Sequence, residues 1–290
     1  MKFDTIGIIA KLDTETIQQP LQALFAFLNE KKCRVIIDEK IADSINTHHY
    51  EKADRDEIGK QCDVAIVVGG DGTILDAVRS LVNANVPLLG INVGRLGFLA
   101  DISPDGLEQS LEDIFNGSYR EEKRFLLEMQ VIRDDKLIFS ADAFNDVVVH
   151  IRDVARMIEF ETRINNEFVN HQRADGIVIS TPTGSTAYAL SSGGPILHAT
   201  LDAITLVPIS PHTLSSRPLV VDADSQINVL ICNTKEGIAQ ATCDGHLSVD
   251  VHVGDHIKVN KKQNMITLLH PTNHNYFDVL RAKLHWSEHS

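Results

Sequence analysis

The chain is short of positive charge, of cysteine and of long apolar runs. Its 290 residues carry 27 Lys and Arg against 40 Asp and Glu, a formal net charge of −13. That argues against a nucleic-acid partner, whose binding would rest on basic side chains neutralising phosphates. The four cysteines, Cys33, Cys62, Cys232 and Cys243, are too few and too scattered for a disulfide framework, and no pair has the close spacing of a zinc site. They read as buried thiols. No apolar stretch approaches the ~18 residues of a membrane span, and the first five residues hold neither a basic region nor a cleavable apolar run. A cytoplasmic protein with no membrane partner is expected. Repeats, low-complexity tracts and linkers rich in Gly or Pro are missing as well. What is present is an ordinary globular balance, 43% hydrophobic and 23% charged. At roughly 150 residues per domain, that length fits about two domains.

From residue 5 to about 115 the pattern alternates strand and helix. Residues 6–9 are an apolar strand, and Ile17, Leu21, Leu24, Phe25 and Leu28 recur at helical spacing behind Asp13 or Thr14 as N-cap. A second strand covers 35–37. The continuous run 64–68 suits a central parallel strand covered on both faces, and Ile74, Leu75, Val78, Leu81 and Val82 mark the next helix. A strand at 86–91 follows. Ser103 before Pro104 predicts an N-cap with proline at the first helical position, opening a helix that stops near Gly117. This half reads as a doubly wound α/β nucleotide-binding domain, residues 1–120.

Beyond Gly117 the period changes to two. Residues 156–164 alternate polar and apolar, and Asn165-Asn166 offers a turn. Further short strands are read at 126–132, 144–151, 177–180, 204–208, 227–231, 247–253 and 256–259. The second domain, residues 121–270, is therefore mostly β and sandwich-like. At the C-terminus Phe277, Leu280 and Leu284 stand at helical spacing, and residues 271–290 are expected to pack back on the first domain, with the active site between the two.

The segment Gly69-Gly70-Asp71-Gly72-Thr73 lies between a buried strand and an amphipathic helix. Its glycines let the backbone approach a ligand, while the first N–H groups of the helix and its dipole favour an anion there. Phosphate is the natural guest, and the carboxyl end of a parallel strand is where open α/β sheets bind nucleotides. The Walker lysine, the full GxGxxG fingerprint and the protein-kinase signatures are missing. Asp71 stands out, because its charge should repel phosphates. Asp is common in turns and caps; alternatively it orients a hydroxyl toward a bound γ-phosphoryl group. The loop alone leaves both open.

The rest of the chain bears on that choice. The GGDGT loop, Asn145-Asp146, the RADG segment at 173–176, the TPTGSTAY segment at 181–188, Gly193-Gly194-Pro195, Pro211-His212 with Arg217-Pro218, and Cys243-Asp244-Gly245 occur in an order that resembles bacterial NAD kinases. The segment 92–99 is similar to the one that follows the loop in that family. The resemblance spans most of the chain, and TPTGSTAY is its most specific part. It implies transfer of the ATP γ-phosphoryl group to the 2'-hydroxyl of the adenosine ribose of NAD, giving NADP. ATP would come with a divalent cation, Mg²⁺, and NAD would be the co-substrate.

Roles carry over by position. Asp71 resembles the family's proton acceptor, with Gly69, Gly70, Gly72 and the helix-capping Thr73 around the phosphates. Asn145 and Asp146 resemble ribose ligands, an amide and a carboxylate that together satisfy vicinal hydroxyls. Thr186 offers a hydroxyl to a base edge, Ala187 leaves room for a flat ring and Tyr188 stacks on it. Asp175, with Arg173 nearby, resembles the position that meets the nicotinamide end. Arg156 would reach a phosphate or a neighbouring subunit, and Ser191, His212 and Asp244 are further polar groups of the site. His246 departs from the glutamine found in many relatives after Asp-Gly. Arg95 belongs to a loop, 95–98, expected to close over the site with Gly94 and Gly97 as hinges. A homo-oligomer, commonly a tetramer, is also implied.

Other signals are set aside. His252 and His256 flank a Gly254-Asp255 turn, so no metal site is read from them. His48-His49 and the run 121–124 read as solvated, and Asn116-Gly117-Ser118 is a sequon without meaning in a cytoplasmic protein. Two rival functions remain. Lipid kinases of the diacylglycerol and sphingosine type share a similar loop and layout, although no basic amphipathic surface is evident here. A non-catalytic NADP-binding sensor is the other, against which the intact Asp71 argues.

Overall fold

Runs of Ile and Val without polar alternation need cover on both faces, and the first half of the chain supplies it by alternating strands with helices. The computed structural model describes residues 2–11, 17–42, 50–94, 97–152, 157–234 and 238–286. They fall into two units, Met1–Lys123 with Ile266–Ser290, and Arg124–Met265. The first unit begins with β1 (Thr5–Ala10), α1 (Gln18–Glu30), β2 (Arg34–Asp38), α2 (Glu39–Ala42), β3 (Glu51–Ala53) and α3 (Arg55–Gln61). It continues with β4 (Val64–Gly69), α4 (Asp71–Leu81), β5 (Leu88–Asn92) and α5 (Leu107–Phe115). In the second unit follow β6 (Tyr119–Arg133, which starts in the first), β7 (Lys136–Ala143), β8 (Asp146–Ile151), β9 (Ile158–Ile164) and β10 (Glu167–Ala174). Then come β11 (Gly176–Ser180), α6 (Tyr188–Ser191), β12 (Ala203–Ile209), β13 (Leu219–Asp222), β14 (Ile227–Asn233), β15 (Ala239–Cys243) and β16 (Leu247–Val251). β17 (His256–Pro271) leads back into the first unit, which α7 (Tyr276–Leu284) closes.

The first unit is a parallel sheet in the order β3-β2-β1-β4-β5-β17. The order reverses between β1 and β4, and in such sheets ligands bind outside the carboxyl ends of the strands at that point. All six residues of β4 are buried. At roughly 1.5–3 kcal/mol for each buried Val or Ile side chain, this strand is a strong anchor for the loop that follows it. Its neighbours in the core include Ile6, Ile8, Leu24, Ile37, Leu111 and Phe115.

Several local expectations are corrected. The helix at α5 starts at Leu107, not after Ser103: Gly106 stands at its N-cap with φ +84° and no side-chain cap, and the left-handed residue breaks any helical path from Pro104. Ser103 instead accepts a bond from Asp105 N through Oγ. Thr73 does not cap α4; Gly70 is the N-cap, and Thr73 is buried in the first turn. In α7 the buried pair is Val279 and Leu280, while Phe277 is 53% exposed. Asp13, Thr14, His48 and His49 lie outside the described residues. The structure also adds α2, β3 and α3, whose signals are weak for a physical reason: β3 has three residues and α3 buries only Ile58 and Gly59.

The second unit follows the period of two. One sheet runs β13-β12-β11-β8-β15-β16. A second set of strands holds β10-β9-β14-β17 and the β6-β7 hairpin. Asn165 and Asn166 turn β9 into β10 with φ +51° and +68°, the primed geometry that matches strand twist. One face of each strand fills a common core: Leu127, Met129 and Val131 from β6 meet Val147 and Val149 from β8, and Ala241 and Cys243 from β15. This is the α/β plus mostly-β architecture expected from the sequence.

Candidate active site

The GGDGT loop leaves β4 at the reversal of strand order and becomes the first turn of α4. Gly70 and Gly72 are exposed, and Asp71 is half-buried. The opening N–H groups of a helix have no partner within it, so this accessible turn keeps the anion-binding character read from the sequence. The Asp71 carboxylate is held from a second direction: Oδ2 accepts from Phe98 N at 2.9 Å and Oδ1 from Leu99 N at 3.0 Å. Gly97 presses against it so closely that a Cβ there would overlap Oδ1. Each carboxylate oxygen carries a second lone pair, so Asp71 is oriented while still able to accept from a hydroxyl. Asn92, paired with Gly69 across β5 and β4, is 4% exposed, and its Oδ1 has no partner among the described residues.

In the second unit the outward face of the sheet carries the polar groups. Asp146, Val148 and His150 alternate with the core residues Val147 and Val149, and Gln240, Thr242 and Asp244 alternate with Ala239, Ala241 and Cys243. With Asn145, Ala187, Tyr188 and Gly245 these outward residues line a cavity of about 430 Å³. Tyr188, one of the lining residues, is 46% exposed. A second cavity of about 440 Å³, around Asn166, Gln226, Asn228 and Lys258, is lined by none of the site residues read from the sequence. Residue chemistry, not size, separates the two.

The two carboxylates of the cavity behave differently. Asp244 Oδ1 accepts from Asn145 N at 2.7 Å and Asp146 N at 3.2 Å, and Oδ2 from Phe144 N at 3.0 Å. It stands in the β15–β16 turn with φ +50°. Asp146 is 5% exposed, and burial, with the Asp244 charge adding to it, pushes its carboxyl up to about 7.

The TPTGSTAY segment clamps this arrangement. Thr181 Oγ1 donates to Phe144 O at 2.7 Å, Gly184 N donates to Thr181 Oγ1 at 3.1 Å, and Ser185 Oγ donates to Pro182 O at 2.6 Å. A Cβ at Gly184 would overlap the Asn145 carbonyl, so glycine is what lets the segment lie against the Asn145-Asp146 backbone. Thr183 Oγ1 accepts from the Arg124 guanidinium at 3.0 Å, and Arg124 is 5% exposed. The expectation that run 121–124 is solvated therefore fails at Arg124, because a hydroxyl buried in the specific motif draws it in. Thr186 donates to Thr183 O at 3.3 Å.

Among the described residues, the other predicted ones are not part of the cavity lining. Asp175 immediately precedes β11, at the end away from Ser180, and the exposed His212 donates its main-chain N–H to Arg173 O at 3.0 Å. The Arg173 guanidinium pairs with Glu159 at 3.2 Å. Ser191 and His246 are exposed. Arg95 and Arg156 lie outside the described residues. Sequence reading missed His150, Gln240 and Thr242, although their alternation with buried neighbours marks the same outward face. It missed the Phe98 and Leu99 amides for a different reason: a main-chain donor leaves no trace in residue type.

A glycine-rich helix opening at a strand-order reversal with one oriented carboxylate in the first unit, and a polar-lined cavity in the second, fit a nucleotide-dependent phosphotransferase. Family models for the ATP-NAD kinase N-terminal and C-terminal domains match residues 6–119 and 144–270. The chain belongs to the NAD kinase family. It is 48% identical to the NAD kinase of Nitrosococcus oceani, covering 98% of this chain and 97% of that one, and 49% identical to that of Chromohalobacter salexigens with the same coverage. Among solved structures, a yeast NADH kinase complexed with NADH matches at a TM-score of 0.91 and 25% identity, covering 100% of this chain and 90% of that one. An NAD kinase from Archaeoglobus fulgidus in complex with ATP matches at 0.75 and 26% identity, covering 96% and 99%.

Proposed function

We propose that the chain transfers the γ-phosphoryl group of ATP to the 2'-hydroxyl of the adenosine ribose of NAD, with Asp71 as the proton acceptor. The observation that carries this reading is the cavity in which an amide, a buried carboxyl, a small side chain and a tyrosine ring converge at Asn145, Asp146, Ala187 and Tyr188. That set of an amide, a carboxyl and a ring matches a ribose diol and a flat base. In this reading Asn145 and the ionised Asp146 hold the ribose hydroxyls, Ala187 and Tyr188 hold adenine, and Asp244 acts as a positioning residue through the main-chain amides it collects. The reaction then requires the 2'-hydroxyl to meet Asp71, whose carboxylate takes the proton as the oxygen attacks the γ-phosphorus and ADP leaves.

The family resemblance implies a magnesium ion with ATP. Asp71 is the one carboxylate the loop Gly69–Thr73 would offer such an ion, and the ion would supply neutralisation of the triphosphate charge. Asp175, with Arg173 nearby in sequence, is assigned in this reading to the nicotinamide end of the dinucleotide, and His212 is a further polar group of the site. Among the described residues no helix is long and apolar enough to cross a membrane, which fits a cytoplasmic enzyme. We further propose a homo-oligomer, commonly a tetramer. β10 is the last strand of its sheet and carries exposed Phe168 and Val169, an edge that natural proteins usually cover. Sedimentation of the purified chain tests that assembly, and a monomer at working concentration would overturn it.

The function is tested with purified chain, Mg-ATP and NAD, reading the product with an NADP-specific dehydrogenase. NADP is expected. ATP consumption that requires a dispersed lipid instead of NAD would assign a lipid kinase, and dinucleotide binding without turnover would assign a sensor.

A further inference from the structure

Three side chains of the first unit gather away from the phosphate loop in sequence: Asp101 after β5, His270 near the end of β17, and His274 in the turn before α7. Their donor atoms all lie within 4.8 Å of one another. His274 Nδ1 stands 3.1 Å from Asp101 Oδ2, and His270 Nδ1 meets the same oxygen. The two imidazole rings stack with centroids 4.4 Å apart at 18°. The side chains are 3%, 10% and 8% exposed for His270, His274 and Asp101. Backbone contacts hold two of the segments: Asn92 N donates to Ile102 O at 2.8 Å beside Asp101, and His274 N donates to Pro271 O at 3.0 Å.

As a hydrogen-bond cluster this arrangement is poorly balanced. Two rings converge on one carboxylate oxygen, while Asp101 Oδ1 and His270 Nε2 are buried without a partner among the described residues. Burying a carboxylate in that state is costly. As a coordination set it is well balanced. A tetrahedral zinc site has arms of about 2.0–2.1 Å, which places ligand atoms about 3.3 Å apart, close to the observed His274–Asp101 separation. Two imidazoles and one carboxylate suit zinc or another late first-row cation rather than magnesium. We propose that Asp101, His270 and His274 form a binding site for one zinc-class divalent cation, with water completing the shell. The cation ties the C-terminal turn to the segment that carries the Phe98 and Leu99 amides, and so stiffens the support of Asp71. Spacing rules for zinc motifs are blind to it, because Asp101 lies 169 residues from His270.

The test uses the full chain, stripped with a chelator and titrated with Co²⁺ in excess Mg²⁺, without nucleotide. Visible d–d bands report the coordination, and Zn²⁺ competition measures affinity. One equivalent bound to the parent is expected, together with a rise in melting midpoint on adding Zn²⁺. His274→Phe keeps a stacking ring, and Asp101→Asn keeps the side-chain shape. Each should weaken binding by more than about 100-fold, the upper end of what even outer partners of a ligand cost. A folded parent that binds no equivalent overturns the proposal. So does an affinity that falls by less than about tenfold in both variants. The parent titration decides the matter even where a variant does not fold.

Discussion

The two units build a polar site by opposite routes. In the first, all six residues of β4 are buried, and polarity begins only where the strand ends, in main-chain N–H groups and the single carboxylate Asp71. In the second, the strands themselves are two-sided: Val147 and Val149 face the core while Asp146 and His150 face the cavity. A site made of backbone is governed by geometry, whereas a site made of side chains is governed by charge. The first should therefore respond to changes of shape around Asp71, and the second to pH and to the loss of individual carboxylates.

The largest effect is expected where the backbone site owns one reacting side chain. Asp71→Asn preserves shape and can still accept from one amide, but it cannot take a proton. Turnover should fall roughly 10²-fold or more, the usual scale for a general base, while NAD binding is retained because the residues proposed for the dinucleotide lie in the other unit. Turnover at the parental rate would remove Asp71 from the chemistry.

The second prediction concerns charge. The folded pKa of Asp146, about 7, lies above the unfolded value of about 3.9. Between those values the native state binds more protons than the unfolded one, so this group lowers stability as pH rises from about 4 to about 7 and has no further effect above that. Asp146→Asn should then be more stable than the parent at pH 8 by up to about 4 kcal/mol, at 1.36 kcal/mol per pKa unit, with the gap closing toward pH 4. Function runs the other way. A protonated Asp146 no longer accepts from two hydroxyls, so kcat/KM for NAD should drop below pH 7, and Asp146→Asn should flatten that limb of the profile. Denaturant melts at several pH values and a pH–rate profile check both signs; a parental stability flat from pH 4 to 8 would refute the first.

The same contrast explains what the sequence disclosed. Apolar runs and period-two alternation report burial directly, so the parallel unit and the mostly-β unit were legible, whereas Asn145 and Asp146 stood out only through the family resemblance. Helix starts were not: Ser103-Pro104 is a sound N-terminal signal that Gly106 overrides with a left-handed residue two positions later. Arg124 was misread because a charged run gives no warning that one member satisfies the buried Thr183 hydroxyl. The amides of Phe98 and Leu99 could not be read at all, since any residue would have supplied them.

Asp244 measures how far side-chain charge organises the second unit. Its carboxylate gathers three main-chain N–H groups at 144–146, and bonds to a charged acceptor are worth about 1.5–3 kcal/mol each when buried. Because Asp244 is only half-buried and water can replace part of the loss, Asp244→Ala should cost about 2–3 kcal/mol in a denaturant melt. It should also raise KM for NAD more than it lowers kcat, as expected of a group that positions ligands. A fall in kcat with KM unchanged would place Asp244 in the chemistry instead.

The smallest effect sharpens the comparison most, because it removes no charge and no reacting atom and changes only the shape around them. Gly97 lies so close to Asp71 Oδ1 that a methyl group would occupy the same space. The atom it meets is the end of a side chain, so the strain is relieved by rotating the carboxylate away from the Phe98 and Leu99 amides. Overpacking of this kind costs about 1–3 kcal/mol; if it falls mainly on the alignment of Asp71, Gly97→Ala should lose about tenfold in kcat, which corresponds to about 1.4 kcal/mol. The melting midpoint and KM for NAD should stay near the parental values. If kcat holds while the midpoint falls, the loop around 97–99 serves packing alone, and the backbone route to the site in the first unit ends at α4.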